Sequence, residues 1–331
     1  MGLNIFAKIQ SVTNLNLSQI NRLKNLIIQE LKPLIDRDYV LLDVPDYDNI
    51  GDNLIWEGEL EFLKEVPHKM LYEASYLFFQ QKKIPPHAII LLQGGGNFGD
   101  IYTKTQEERL KIISENPDKK IIIFPQTIHY QNTENLKKDA EIIKKHPDLI
   151  FCVRDRISYD LVQEHFPNVL PKLLPDMAFC IDPKRFEAPI SGKKKLLMKR
   201  NDGELGNIPN VDGEFETLDW PTFNLTKQER WKKVGQQRRF DKMAIAFQKL
   251  PILNTWVDSR YGIKSRNGKE KHIQTGIDFF SQYETIYTTR LHGLILGILM
   301  GKDMKVLDNS YGKLTNFYKE WLVGFEGVEI V

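Results

Sequence analysis

An arginine and a histidine share one turn in Thr288-Thr289-Arg290-Leu291-His292-Gly293-Leu294, between an apolar strand pattern at Thr285–Thr288 and an apolar helix pattern at Leu291–Met300. That spacing puts Arg290 and His292 at the start of a buried helix, where the dipole welcomes an anion and works against further cations. A local conflict of this kind is tolerated most readily at a functional site. Histidine gives and takes protons near neutral pH, so His292 is the candidate proton-transfer group. A lone histidine more often plugs a helix end as a satisfied core residue; the pairing with Arg290 favours chemistry.

Other strand ends carry matching groups. In Val153-Arg154-Asp155-Arg156-Ile157-Ser158, Arg154 sits just past a strand, and its planar fork suits a carboxylate or phosphate. The bland alternative is a surface pair of Arg154 or Arg156 with Asp155, the latter and Ser158 capping a helix. Asp308-Asn309-Ser310-Tyr311-Gly312-Lys313 brings a third cation, Lys313, whose commoner role is a solvated first-turn lysine. In Asp48-Asn49-Ile50-Gly51-Asp52-Asn53-Leu54, Gly51 permits a tight turn and Asp52 or Asn53 caps a helix. Exposed amides there suit an anion or a sugar hydroxyl, against an equal reading as a plain strand-turn-helix cap. Gly94-Gly95-Gly96-Asn97 reads as a glycine-rich turn with bare amides that let a ligand approach closely. It lacks the setting of a dinucleotide fingerprint and the Lys-Ser/Thr of a phosphate-binding loop. At the carboxyl end of a parallel strand it lies where such sheets bind ligands. No clustered His, Cys and carboxylate set suggests a metal.

The elements that must position these groups alternate. Strand patterns at Tyr39–Val44, His87–Leu92, Lys120–Phe124 and Leu149–Val153 interleave with helix patterns at Thr105–Ser114, Asn135–Lys145 and Arg156–His165. An amphipathic helix at Leu17–Ile35 precedes them. After turn chemistry at Asp182–Lys195 the pattern restarts with a strand at Leu196–Met198. It resumes with a helix at Asp278–Tyr283, the Arg290/His292 unit, a strand at Met304–Leu307 and a helix at Lys313–Val323. The expected fold is α/β, two parallel-sheet lobes with a cleft between them: residues 1–182, and residues 183–331 with an irregular insert over 203–271. Trp321 and Leu322 give the last helix an apolar face for packing back on the first lobe.

The chain has 331 residues, 41% hydrophobic, and a net charge of only +2, which argues against a nucleic-acid binder. Two cysteines in apolar surroundings make no disulfide framework. Met1–Val12 reads as a poor signal peptide, and no run reaches the roughly 20 apolar residues of a membrane helix. The expectation is a cytoplasmic protein, with peripheral contact at the inner face of the membrane left open. Basic residues interleave with aromatics from Arg230 to Phe240, a pattern suited to an anionic membrane or a pyrophosphate-linked acceptor, or to a solvated basic helix.

Taken together, Gly51-Asp52-Asn53, the triple glycine from Gly94, Arg154-Asp155 with Ser158, Pro175-Asp176, Arg290-Leu291-His292-Gly293 and Lys313 resemble the polysaccharide pyruvyl transferase family in order and spacing along nearly the whole chain. The resemblance implies a glycosyltransferase-B-like pair of Rossmann lobes, the first on the acceptor side. It implies no cofactor, with phosphoenolpyruvate as donor, and a saccharide acceptor, free or lipid-linked. It also implies that Arg154, Arg290, His292 and Lys313 handle the donor. Asn53, Gly94, Gly95, Gly96 and Asn97 are the further candidates for substrate binding, with Asp52 or Asp176 as base toward a sugar hydroxyl. A nucleotide-sugar glycosyltransferase shares such a fold. Three cations with no evident ribose-binding carboxylate favour the small trianion instead. A non-catalytic anion binder would have no need of His292.

Overall fold

Short runs of branched apolar residues bounded by turns make strands buried on both faces, and here they assemble two parallel sheets. The structure, a computed structural model, describes residues 2–186, 194–206, 213–223 and 226–331. The first sheet contains β1 (Tyr39–Leu42), β2 (Met70–Ala74), β3 (Ile89–Leu92), β4 (Gly95–Gly99), β5 (Ile121–His129), β6 (Leu149–Val153) and β7 (Leu170–Leu173). Its order is β2-β1-β3-β5-β6-β7, with β4 beside the second half of β5. The second sheet contains β8 (Lys194–Met198), β9 (Glu216–Leu218), β10 (Tyr283–Thr288), β11 (Asp303–Val306) and β12 (Val328–Ile330), in the order β12-β11-β10-β8-β9.

The helices are α1 (Gly2–Leu31), α2 (Ile50–Leu63), α3 (Thr103–Glu115), α4 (Thr133–Ile143), α5 (Arg156–His165), α6 (Lys227–Gln248), α7 (Pro251–Phe280), α8 (Leu291–Leu299) and α9 (Lys313–Phe317). Strand alternation sorts the first sheet's side chains between two cores. Val40, Leu42, Ile90 and Leu92 enter one that lies under α3, α4 and α5. Leu41, Ile89, Leu91 and Ile122 enter the other, which continues without a break through Met198, Ile286, Met304 and Val306 of the second sheet. The C-terminal segment crosses to the first sheet's side. Trp321 Nε1 donates to the Arg154 carbonyl at 2.8 Å, and Phe317 stacks on Phe179 at 6.4 Å. Asn16 of α1 exchanges two hydrogen bonds with the Glu326 backbone.

Three sequence expectations need correction. The glycine-rich turn at 93–96 is only two residues long, because Gly95 and Gly96 extend into β4, and Gly95 sits at φ 142°. The insert expected to be irregular holds α6 and most of α7, with β9 before them. The apolar residues of α6 do not gather on one side, so its sequence has no apolar stripe to betray a helix; a Thr226–Glu229 capping box starts it. Tyr283, expected in a helix, opens β10. Half of the linker expected at Asp182–Lys195 (187–193) lies outside the described residues.

Candidate active site

β6 ends at Val153, and the Arg154 backbone continues its ladder by donating to the Gln126 carbonyl at 3.0 Å. The side chain turns inward and is wholly buried. Its Nε donates to Thr127 Oγ1 at 2.9 Å, and Nη1 pairs with Asp176 Oδ2. Asp176 is also wholly buried and caps the short turn Met177–Cys180, its Oδ1 accepting from the Ala178 amide at 2.9 Å. His292 Nε2 lies 3.3 Å from Asp176 Oδ2 and 3.3 Å from Arg154 Nη1. The carboxylate asks Nε2 for a hydrogen and the guanidinium asks it for a lone pair; in the tautomer that answers Asp176, Nδ1 is left to exchange a proton. Burial acts to raise the Asp176 carboxyl. The charges of His292 and Arg154, with hydrogen bonds from His292 and Ala178, outweigh it and hold the group well below the usual carboxylate range. Arg154 Nη2 is buried with no hydrogen-bond partner among the described residues.

Two glycines exist here for space. A Cβ on Gly51 would stand 2.6 Å from His292 Nδ1. One on Gly96 would stand 2.6 Å from Arg154 Nη2 and closer still to Lys313 Nζ. Lys313 opens α9 after Gly312, whose φ of 81° sets the left-handed turn. Its Nζ lies 3.4 Å from the Gly96 carbonyl and 3.7 Å from Glu204. Burial pushes the ammonium down to about 8 against the pull of Glu204, with Arg154 and Arg200 adding to the fall.

The loop after β8 supplies Arg200, Asp202 and Glu204. Arg200 forks to Asp202 at 2.6 Å and to Glu204 at 2.8 Å. Glu204 also accepts from Tyr102 at 3.1 Å, Tyr311 at 2.9 Å and Asn309 at 3.3 Å. Burial would raise it, but Lys313 and Arg200 hold it well below its ordinary value. Arg290 caps α8, pairs with Asp219 through Nε and Nη2, reaches Asp202 at 3.2 Å and covers the Phe223 ring at 4.9 Å. Above these groups opens a cavity of about 420 Å³, lined from the first sheet's loops by Tyr47, Asp52, Asn97 and Tyr102 and from the second's by Arg200, Arg290, His292 and Lys313.

His292, Arg290, Lys313, Asp52, Gly96 and Asn97 thus face one cavity, and Arg154 lies buried beside Gly96 and Lys313. Other candidates stand elsewhere. Asn53 is buried, its amide donating to the Tyr47 and Asn49 carbonyls at 3.0 and 2.7 Å, so it shapes the turn. The Gly94 amide is not bare: the buried Glu59 carboxyl of α2 accepts from it at 2.8 Å. Gly95 pairs with Gln126 inside the sheet. Asp176 is sealed beneath His292 rather than open to a sugar hydroxyl. The cations are not without carboxylates either, since Arg290 meets Asp219, Arg154 meets Asp176 and Lys313 meets Glu204. The sequence reading passed over Arg200, Asp202, Glu204, Asp219, Tyr102 and Thr127. One signal was present: Arg200-Asn201-Asp202-Gly203-Glu204 is a charged run directly after a strand.

Comparison with known proteins identifies the family. The family described as polysaccharide pyruvyl transferase matches residues 49–311, a span that includes every cavity-lining group named above except Tyr47 and Lys313. EpsO of Bacillus subtilis (strain 168), which carries the name of a pyruvyl transferase, is 35% identical over 311 residues, covering 92% of each chain. Pyruvyl transferase 1 of Schizosaccharomyces pombe is 29% identical over 309 residues, covering 88% of this chain and 72% of its own. A solved structure of an uncharacterised protein from Klebsiella pneumoniae shares the fold, with a TM-score of 0.61 at 19% identity over 93% of this chain and 98% of that one. Two parallel α/β sheets, a family match over most of the length and a relative this similar from end to end lead to one assignment: the chain belongs to the polysaccharide pyruvyl transferase family.

Proposed function

We propose that this enzyme moves the enolpyruvyl unit of phosphoenolpyruvate onto two hydroxyls of a saccharide, forming a pyruvate ketal and releasing phosphate. The observation that carries the reading is the meeting at Gly96 of a buried guanidinium nitrogen without a partner, Arg154 Nη2, and the Lys313 ammonium, beside the Asp176–His292 pair. Two cationic groups on a glycine floor suit a small ligand bearing a carboxylate and a phosphate. Arg290 and Arg200 line the same cavity, each held in place by carboxylates.

The reaction needs one proton on the methylene carbon, which becomes a methyl group and leaves the neighbouring carbon electrophilic. One sugar hydroxyl adds to that carbon, phosphate departs, and the second hydroxyl closes the ring. The two hydroxyls release two protons: one balances the proton placed on carbon and the other leaves with phosphate. His292 Nδ1 carries protons between these positions, with Asp176 fixing the ring through Nε2 and stabilising its protonated form. Asp52 lines the cavity and is held by Tyr47 at 2.9 Å and Asn49 at 2.7 Å, a position that supports its assignment as base toward a hydroxyl. Incubation with phosphoenolpyruvate and a panel of free and lipid-linked saccharides, following phosphate release and the mass of the acceptor, tests the proposal. Sugar transfer from a nucleotide sugar, with no phosphate released from phosphoenolpyruvate, would overturn it.

A further inference from the structure

Helix α6 does little for the core of this molecule. Among its described side chains none is buried before Ala244, and a Cβ on Gly235 would meet nothing within 4 Å. Its C-terminal end is anchored, where Ala244 joins Phe78 and Val257 in a small separate cluster and Gln248 donates to the Phe78 carbonyl at 3.1 Å. Trp231 is 83% exposed, and Phe240, Met243 and Leu250 are exposed as well. Between Lys227 and Leu250 the sequence holds eight basic residues and two acidic ones, in a chain whose net charge is only +2, so the rest of the molecule is net acidic. The start of α6 lies four residues beyond Phe223, which lines the cavity.

We propose that α6 docks the enzyme on an anionic lipid bilayer, holding the mouth of the cavity beside the headgroups. A helix with no continuous apolar stripe has little to hold its whole length against protein. Its basic residues match anionic headgroups, and an exposed indole finds its preferred environment at the boundary between headgroups and acyl chains. The one-sided charge orients the molecule, because its acidic remainder is repelled by the same surface. An acceptor carried on a lipid would then reach the cavity without leaving the membrane. The docking stands independently of the ketal chemistry.

Sedimentation of the full chain with lipid vesicles tests this. Binding is expected to vesicles of phosphatidylcholine with added phosphatidylglycerol, weakening as salt rises, and not to phosphatidylcholine alone. Replacing Arg238, Arg239 and Lys242 together by Gln should lower the partition by about fivefold per lost charge, on the order of a hundredfold in all. Trp231→Ala should weaken binding while leaving the salt dependence as it was. Both variants change exposed positions, so their melting temperatures and their activity on a soluble acceptor should stay at the wild-type level. Wild-type protein that ignores anionic vesicles, a triple variant that binds them equally well, or a preference for an RNA oligomer over vesicles would each overturn the proposal.

Discussion

At the scale of single residues the site is a set of charges kept in place by opposite charges. His292→Asn preserves a hydrogen bond toward Asp176 but removes proton carriage, so kcat should fall by about 10²–10⁴-fold with little change in donor KM. Steady-state kinetics decide it: lost donor affinity with an intact saturating rate would make His292 a binding residue. Lys313 gives a pH signature. Its pKa is pushed down to about 8 by burial, so the cation is present below that pH and lost above it. Donor KM should therefore climb as pH passes about 8, whereas Lys313→Met should bind weakly with a flat profile over the same range. The stability linkage runs the other way. Between about 8 and the ordinary 10.5 the unfolded chain holds a proton that the folded chain lacks, so this group's contribution to stability rises with pH through that window. Arg154, Arg290, His292 and Lys313 were legible as charged groups at strand ends. Their partners were not, because pairing depends on which residues face one another: Asp176 meets His292 across 116 positions, and Asp219 meets Arg290 across 71.

At the scale of elements, α2 acts as the ruler of the site. Its first turn brings Gly51 against His292, Glu59 holds the Gly94 amide, and Gly58 lies against the turn that carries Asp176. A Cβ on Gly58 would run into the Met177 carbonyl and stand 2.8 Å from Ala178 Cα. Backbone cannot yield as a flexible side chain does, so Gly58→Ala should destabilise the chain by about 1–3 kcal/mol. The shift of Asp176 should also cut turnover in the fraction that still folds. Urea titration and kinetics on the refolded variant check both effects; a wild-type midpoint would mean that α2 stands off the turn. Elements with strong local signals were readable. Leu149–Val153 and Arg156–His165 match β6 and α5 end to end, helped by Asp155, whose carboxylate caps Ser158 at 2.8 Å. The second half of β5 was missed because Pro125, Gln126 and Thr127 interrupt its apolar run, and the last two are positions that meet Arg154 and β4. α6 was legible only as one of two readings of Arg230–Phe240, a solvated basic helix, and its full length was not, since a helix without an apolar stripe leaves no period in the sequence.

At the scale of the whole molecule, two sheets suggest two bodies, yet the core between them is continuous. Met198, Ile286 and Met304 of one sheet and Leu41, Leu91 and Ile122 of the other belong to the same cluster of buried residues, into which α1 inserts Ile20, Leu23 and Ile27. The indole of Trp321 is fastened to the carbonyl of Arg154 itself. Separately melting halves would each have to expose this shared apolar interior to water, at a cost proportional to its area. Heating should therefore give one calorimetric transition whose van't Hoff and calorimetric enthalpies agree, and the probes of either half should lose their signal together. Two resolved transitions would show that the halves hold their structure apart. If they melt as one, a defect anywhere in the seam, even one far from the cavity, shortens the lifetime of the active enzyme by the same global route, so heat tolerance and catalytic competence are inherited as a single trait.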